Sequence, residues 1–124
     1  MKILVAEDNA LNQKIMKAFL SRNNHEVTIA SDGKELVDMF STGDFDCILV
    51  DLHMPFMDGF EATESIRRTE KGRHIPIIAV TASCPQEDRL KCLSMGMNYF
   101  LQKPVKYEEI EHIIKKIEQG LYKH

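Results

Sequence analysis

Five short apolar segments alternate with amphipathic segments along this chain of 124 residues. Most of them lack the polar–apolar alternation of a strand with one exposed face. They occupy residues 2–6, 25–30, 47–50, 77–80 and 98–102. Short apolar strands separated by helices are typical of a parallel sheet with helices on both faces, because both faces of each strand are buried. The sequence therefore predicts an α/β fold of five βα units.

Helix-start signals follow the predicted strands. Asn9 is placed to cap the first helix, because its side-chain oxygen can accept from a free backbone N–H. Asp32 with Glu35, and Asp58 with Glu61, each match a capping box. Asp58 is therefore assigned a structural role. The helix that starts after Asp58 is predicted to run to about residue 70.

The remaining helix signals are apolar residues at helical spacing. The fourth helix is predicted to start at Ser83 or Cys84, with Pro85 in its first turn, and to end before Gly96. On the first helix the predicted apolar face carries Leu11, Ile15, Ala18 and Phe19, and on the second it carries Leu36, Val37 and Phe40. On the fourth helix it carries Leu90 and Leu93, and on the fifth it carries Ile110, Ile113, Ile114 and Ile117.

Length and composition predict one domain in the cytoplasm. A net charge of −3 gives no general attraction to nucleic acid or to an anionic membrane. No apolar run approaches the roughly 20 residues of a membrane span, and no signal peptide precedes the first strand. The three cysteines are too widely spaced for a metal knuckle or a disulfide framework, and Cys47 is predicted to be a core residue.

Polar residues collect where the predicted strands end. These residues are Glu7, Asp8, Asp51, Thr81 and Lys103. Because the carboxyl ends of parallel strands share one edge of the sheet, we expect these side chains to converge there. Three carboxylates raise one another's pKa values unless a cation compensates, and one ammonium is too little.

Mg²⁺ is the cation that such a cluster suits, because it prefers oxygen ligands. A metal ion and an ammonium together can also accept a phosphoryl group, with a carboxylate attacking phosphorus. His53, two residues after Asp51, is a candidate ligand as well. We expect its side chain to be exposed and only its backbone carbonyl to face the ion.

Four segments together carry a family resemblance: "ILVAEDN", "ILVDLHMPFMDGFE", "PIIAVTA" and "YFLQKP". In this order and spacing they resemble the receiver domain of a two-component response regulator, over nearly the whole chain. The resemblance implies one receiver domain over residues 1–124. It also implies a flavodoxin-like sheet with the strand order 2-1-3-4-5.

The resemblance also implies roles for the strand-end residues. Asp51 would be the phosphoryl acceptor, and Lys103 would pair with the phosphoryl oxygens. Asp8 would contact Mg²⁺ directly, Glu7 would help to hold it through water, and the carbonyl of His53 would complete the protein's share of the coordination.

Further positions match the family's switch. Thr81 would hydrogen-bond the phosphoryl group, and Phe100 would then turn inward, changing the surface of the fourth helix, fifth strand and fifth helix. Ala82 is small, as the family requires at this position. The bond between Lys103 and Pro104 is expected to be cis, which is affordable only before proline.

The function implied is signalling rather than metabolic turnover. A histidine kinase or a histidine phosphotransfer protein would supply the phosphoryl group, and a downstream protein would respond; neither nucleic acid nor membrane would bind directly. The chain would be a monomer or a weak phosphorylation-dependent dimer. Asn9 and Asn12 favour the hybrid-kinase or phosphorelay type, whereas His53 and Ser83 lie where the family tunes dephosphorylation. Whether the receiver is free-standing or part of a larger protein stays open.

Two alternatives are weighed against this interpretation. A phosphatase of the haloacid-dehalogenase type places Asp-x-Asp after its first strand, but here Asp8 is followed by Ala10 and Asp51 by His53. No cap-domain insertion is present either. A degenerate receiver that works unphosphorylated is disfavoured, because the acidic positions, the threonine and the lysine are all present.

Overall fold

The computed structural model describes residues 1–82 and 86–120, and it contains one parallel sheet. The strands are β1 (Lys2–Ala6), β2 (Glu26–Ala30), β3 (Cys47–Asp51), β4 (Ile77–Thr81) and β5 (Tyr99–Gln102). The helices are α1 (Ala10–Arg22), α2 (Gly33–Thr42), α3 (Gly59–Arg67), α4 (Gln86–Ser94) and α5 (Tyr107–Glu118). None of the described helices is both long enough and apolar enough to span a membrane.

The strand order is β2-β1-β3-β4-β5, which confirms the predicted flavodoxin-like topology. The chain passes from β1 outward to β2 and then returns to β3 on the other side of β1, so the order reverses between β1 and β3. Ala6 pairs with Val50, and Asp51 pairs with Val80. The register therefore puts Glu7 and Asp51, the next residue of each chain segment, at the same level of the sheet edge.

Two apolar cores cover the two faces of the sheet. One contains side chains from α2 and α3, with Phe40 and Ile66 among its buried members. The other contains Leu20 of α1 and the isoleucines of α5. The predicted α5 stripe is confirmed, since its four isoleucines are Ile110, Ile113, Ile114 and Ile117 and all are buried. Cys47 is buried as predicted, and burial raises the pKa of its thiol to about 12.

The predicted apolar face of α1 is wrong in part. Leu11, Ile15 and Ala18 are exposed. The side chains that pack inward are Met16, Phe19 and Leu20. This helix carries two overlapping apolar stripes with helical spacing, and only its packing against the sheet selects one of them.

The predicted apolar face of α4 is also wrong. Leu90 and Leu93 are exposed, whereas Cys92 is buried. The short helix turns its cysteine inward, and Met97 after the helix joins the same core. The predicted start at Ser83 or Cys84 with Pro85 lies outside the described residues.

Two helix ends differ slightly from expectation. The Glu35 carboxylate accepts from the backbone N–H of Ser31 rather than from that of the cap residue Asp32. Helix α3 ends at Arg67, three residues earlier than predicted. Gly96 has φ +87°, as suits a residue that terminates a helix.

Arg67 links the end of α3 to the start of β5. Its guanidinium donates to the backbone oxygens of Gly72, Ile75 and Gly96 and to the side-chain oxygen of Asn98. Burial lowers the pKa of this guanidinium. Its partners lie in two loops, one before β4 and one before β5, so a single side chain holds both connections in place.

Replacing a buried leucine and an exposed leucine with alanine should have different effects on the free energy of unfolding. Leu36 is 0% exposed and Leu93 is 66% exposed. Leu36→Ala should lower the free energy of unfolding by about 2–5 kcal/mol, because it leaves a cavity. Leu93→Ala should change it by less than about 0.5 kcal/mol. Urea unfolding measures both, and similar losses in the two variants would contradict the orientation of α4.

Candidate functional site

Three carboxylates meet at the edge of the sheet where the strand order reverses. Glu7 and Asp8 follow β1, and Asp51 ends β3. One carboxylate oxygen from each residue lies within 4.8 Å of the others. Glu7 and Asp51 are only 8% and 7% exposed, whereas Asp8 is exposed. The cluster is thus buried at its base and open on the side of Asp8.

Lys103, just after β5, bridges the two buried carboxylates. Its Nζ donates to Oε1 of Glu7 at 2.7 Å and to Oδ2 of Asp51 at 2.9 Å. Its backbone N–H donates to the carbonyl of Thr81 at 2.7 Å, which holds this segment against the end of β4. The peptide bond to Pro104 is cis, as the resemblance implied.

These contacts raise the pKa of Lys103 above its ordinary value of 10.5. Burial alone would lower that pKa, but hydrogen bonds and attraction to Glu7 and Asp51 outweigh it. Three carboxylates and one ammonium still leave an excess of two negative charges. The site therefore has room for further positive charge.

The loop after β3 orients the other oxygen of Asp51. The backbone N–H of His53 donates to Oδ1 at 3.0 Å, so both carboxylate oxygens of Asp51 have donors. The imidazole of His53 is exposed, as predicted. The carboxylate of Glu7 is similarly fixed on its second oxygen by the backbone N–H of Asn9 at 3.1 Å.

Helix α3 packs directly on the end of β3. A Cβ on Gly59 would lie 2.6 Å from the backbone oxygen of Asp51, so glycine permits this approach. Asp58 accepts from the backbone N–H of Glu61 at 2.9 Å, and the Glu61 carboxylate returns to the N–H of Asp58. This confirms the capping role predicted for Asp58. Asp58 and Asp51 are close in sequence, yet their carboxylates have different partners.

The other predicted site residues lie on β4 and β5. Thr81 is fully buried at the end of β4, next to β3 in the sheet. Ala82 follows it and is exposed. Phe100 is partly buried on β5, with the Arg89 guanidinium 5.5 Å from its ring centre. Ser83 lies outside the described residues.

The structure adds an apolar cleft that the sequence did not indicate. The cleft encloses about 500 Å³ beside Asp51, between α1 and the segment that follows β5. Its walls include Asn12, Ile15, Met16, Val105 and Tyr107. Tyr107 stacks on Phe19 with ring centres 4.3 Å apart. Both aromatic rings were visible in the sequence, but nothing local linked residue 19 to residue 107.

The donors of this site fit Mg²⁺. They are carboxylate oxygens, which hard cations prefer, and they carry more negative charge than Lys103 neutralises. Burial of Glu7 and Asp51 makes their mutual repulsion stronger than it would be in water. The opening beside Asp8 leaves space for the waters that Mg²⁺ keeps.

Comparison with known proteins points to a single family. Residues 3–115 match the response regulator receiver domain. Hybrid signal transduction histidine kinases I and B of Dictyostelium discoideum are 43% and 42% identical, over 96% and 97% of this chain. The matched regions are only 8% and 7% of those kinases, so the chain corresponds to a small part of their length.

Solved structures agree with the sequence comparison. The receiver domain of sensor histidine kinase PA1611 from Pseudomonas aeruginosa PAO1, with a magnesium ion coordinated in its active-site cleft, superposes with a TM-score of 0.86. It is 42% identical, over 93% of this chain and 94% of that one. The chemotaxis protein CheY4 of Vibrio cholerae gives 0.89 at 26% identity, over 94% and 97% of the two chains.

Replacing Lys103 tests the electrostatics of the site in metal-free protein. Lys103→Met should lower the free energy of unfolding at pH 7 by about 1–3 kcal/mol, because two buried carboxylates lose their cation. Since folding raises the pKa of Lys103, its contribution is fully present below pH 10.5 and is lost as the pH rises through the folded value.

Urea unfolding of both proteins in EDTA, from pH 7 to 11.5, measures this difference. The gap between wild type and Lys103→Met should be constant up to about pH 10 and then narrow. A gap that widens above pH 10.5 would contradict the ion pairs seen at Glu7 and Asp51.

Proposed function

Since the chain belongs to the response regulator receiver family, we propose that it is a phosphorylation-dependent switch of a phosphorelay with Asp51 as the phosphoryl acceptor. The observation that carries this proposal is the setting of Asp51. Its carboxylate lies at the switch point of the sheet, with Lys103 on one oxygen, the N–H of His53 on the other, and two acidic neighbours.

Family membership, rather than burial or hydrogen bonding, selects Asp51 as the acceptor. Glu7 is equally buried and is held in the same way, by Lys103 and by the backbone N–H of Asn9, and Asp8 is exposed to water. In the reaction, a carboxylate oxygen of Asp51 forms a bond to phosphorus while the P–N bond of a phosphohistidine breaks. The imidazole leaves and takes up a proton, and an acyl phosphate remains on the receiver.

Positive charge must accompany the phosphoryl group. Asp8, Glu7 and Asp51, with the carbonyl of His53, would hold Mg²⁺. That ion supplies the charge that offsets the phosphoryl oxygens. Lys103 already lies on Asp51 and would move its hydrogen bond to a phosphoryl oxygen.

The switch would involve Thr81 and Phe100. Thr81 lies at the end of β4, beside the strand of the acceptor, and its hydroxyl would bond the phosphoryl group. Phe100 is partly buried on the next strand and would occupy the volume that Thr81 leaves. The phosphoryl group need only shift an existing equilibrium by a few kcal/mol, so the response is a change of surface on α4, β5 and α5.

The partners follow from this chemistry. A histidine kinase or a histidine phosphotransfer protein supplies the phosphoryl group, as the similarity to hybrid histidine kinases suggests. The chain would act in the cytoplasm as a monomer or a weak phosphorylation-dependent dimer. It would either bind a downstream protein or pass the phosphoryl group on to a further histidine. The chain catalyses only its own phosphorylation and dephosphorylation. Its net charge of −3 gives nucleic acid no electrostatic attraction.

Intact-mass measurement after incubation with acetyl phosphate and Mg²⁺ tests the acceptor. Wild type should gain one alkali-labile phosphoryl group, and Asp51→Asn should gain none, because the amide is not a nucleophile. Asp58→Asn is the matched control, since asparagine caps a helix as well as aspartate does, and it should be labelled like wild type.

Two outcomes would contradict the proposal. One is an unlabelled wild type, and the other is an adduct that persists in Asp51→Asn. Steady release of phosphate from assorted organic phosphates would instead indicate a phosphatase.

Mg²⁺ should stabilise the protein through Asp8. At a free Mg²⁺ concentration about 100 times the dissociation constant, the free energy of unfolding should rise by about 2.7 kcal/mol. Asp8→Asn should weaken Mg²⁺ binding by about tenfold or more, since loss of an outer contact alone has an effect of that size. In EDTA the same variant should be at least as stable as wild type, because one like charge is gone.

Urea unfolding across a Mg²⁺ titration measures both effects. Glu70→Gln removes an exposed carboxylate outside the cluster and should respond like wild type. Equal Mg²⁺ affinity in wild type and Asp8→Asn would exclude Asp8 as a ligand.

A further inference from the structure

Phe56 adopts an unusual backbone conformation in the loop between β3 and α3. Its φ is +68°, and the N–H of Met57 donates to the carbonyl of Pro55 at 2.8 Å. Phe56 is therefore the central residue of a tight three-residue turn in the left-handed region. A bulky L-residue is disfavoured there by about 1–3 kcal/mol, whereas glycine is not.

The ring of Phe56 gains little from the fold. It is 90% exposed, more than any other large apolar residue in the described part of the chain. A single exposed apolar residue is ordinary, but one that also imposes backbone strain is not. The combination indicates that the ring contributes when another surface covers it.

The turn is held rigidly from both sides. A Cβ on Gly33 would lie 2.0 Å from the backbone oxygen of Met57, so the start of α2 packs directly on the loop. The capping box of Asp58 then fixes the residue that follows. Because the loop is packed at its base and capped at its end, the backbone of Phe56 is held in place, which lowers the entropy lost on binding.

Phe56 also belongs to the loop that orients the proposed acceptor. It belongs to the loop whose His53 N–H holds Asp51, and it leads into α3 on one face of the sheet. Helix α1, on the other face, exposes Leu11 and Ile15. Apolar side chains therefore flank the acidic opening on two sides.

A protein that donates the phosphoryl group must cover the rim of this opening, which carries Phe56, Leu11 and Ile15. Asp51 is 7% exposed, so a phosphohistidine reaches it only if the protein that carries it presses against the opening. A small phosphodonor such as acetyl phosphate needs no such contact. The rim is thus relevant to one class of donor and irrelevant to the other.

We propose that Phe56 is a specificity-determining contact for the phosphohistidine protein, which receives the ring in an apolar recess beside its histidine. This proposal rests on the proposed function of Asp51. Phe56 has no part in the chemistry, because a phenyl ring carries no group that could take up a proton, bind a metal ion or attack phosphorus.

Phe56→Gly is the informative variant, because glycine keeps the turn and removes the ring. Phe56→Tyr retains the ring and serves as the control. Phosphorylation of each protein is measured with acetyl phosphate and with autophosphorylated catalytic cores of hybrid histidine kinases. With the kinase cores, Phe56→Gly should lower kcat/KM by about tenfold to thirtyfold, the loss expected for an aromatic anchor of an interface.

With acetyl phosphate, Phe56→Gly should stay within about twofold of wild type, and Phe56→Tyr should resemble wild type with both donors. Equal losses with both donors would overturn the proposal, as would no loss with either. The proposal would also be overturned if acetyl phosphate phosphorylates the wild type but no kinase core does. A dimer of the wild type in sedimentation that Phe56→Gly abolishes would overturn it as well. Failure of acetyl phosphate to label wild type would instead refute the function of Asp51.

Discussion

The bridge from Lys103 to Glu7 and Asp51 is the interaction on which the site depends. It joins the segment after β5 to the ends of β1 and β3, across 96 and 52 residues of sequence. The ammonium makes it possible to bury two carboxylates side by side, yet it leaves the cluster with excess negative charge. That imbalance would favour binding of a cation, and under the proposed function the cation would permit a dianionic phosphoryl group to approach. A fully neutralised cluster would be a better structural ion pair and a poorer reaction site.

The fold separates residues that look equivalent in sequence. Asp51 and Asp58 both lie in one short acidic, proline-containing stretch. Strand β3 ends at the switch point and delivers Asp51 to Lys103, whereas the start of α3 engages Asp58 in a capping box. The close packing allowed by Gly59 keeps the two carboxylates in these separate settings. Position relative to a strand end or a helix start therefore determines which carboxylate is available for chemistry.

Sequence reasoning succeeded wherever one local pattern had one structural solution. The buried strands β1, β3 and β4, the caps at Asn9 and Asp58 and the isoleucine stripe of α5 are of this kind, and so is the convergence of strand-end residues once the sheet is parallel. It failed for Leu11, Ile15, Leu90 and Leu93, because helical spacing defines a stripe but not which stripe faces the sheet. The cleft beside Asp51 and the contacts of Arg67 with Gly96 and Asn98 depend on segments distant in sequence, and local patterns carry no signal for such contacts. The turn at Phe56 is local, but phenylalanine is not a residue that indicates a left-handed turn.

The proposed roles fall on two sides of the site, and the two sides are packed differently. On the side of α3, Gly33 and Gly59 pack against the backbone of Met57 and Asp51, the side chain of Asp58 caps the helix, and together they hold the loop of Phe56. On the side of β4 and β5, the proposed switch would exchange volume between the side chains of Thr81 and Phe100 without moving the sheet. A rigid side suits recognition, because a fixed contact lowers the entropy lost when a donor binds. A side that can repack suits response, because a modest energy shifts it between two states. Donor choice and output can thus vary independently around one acceptor.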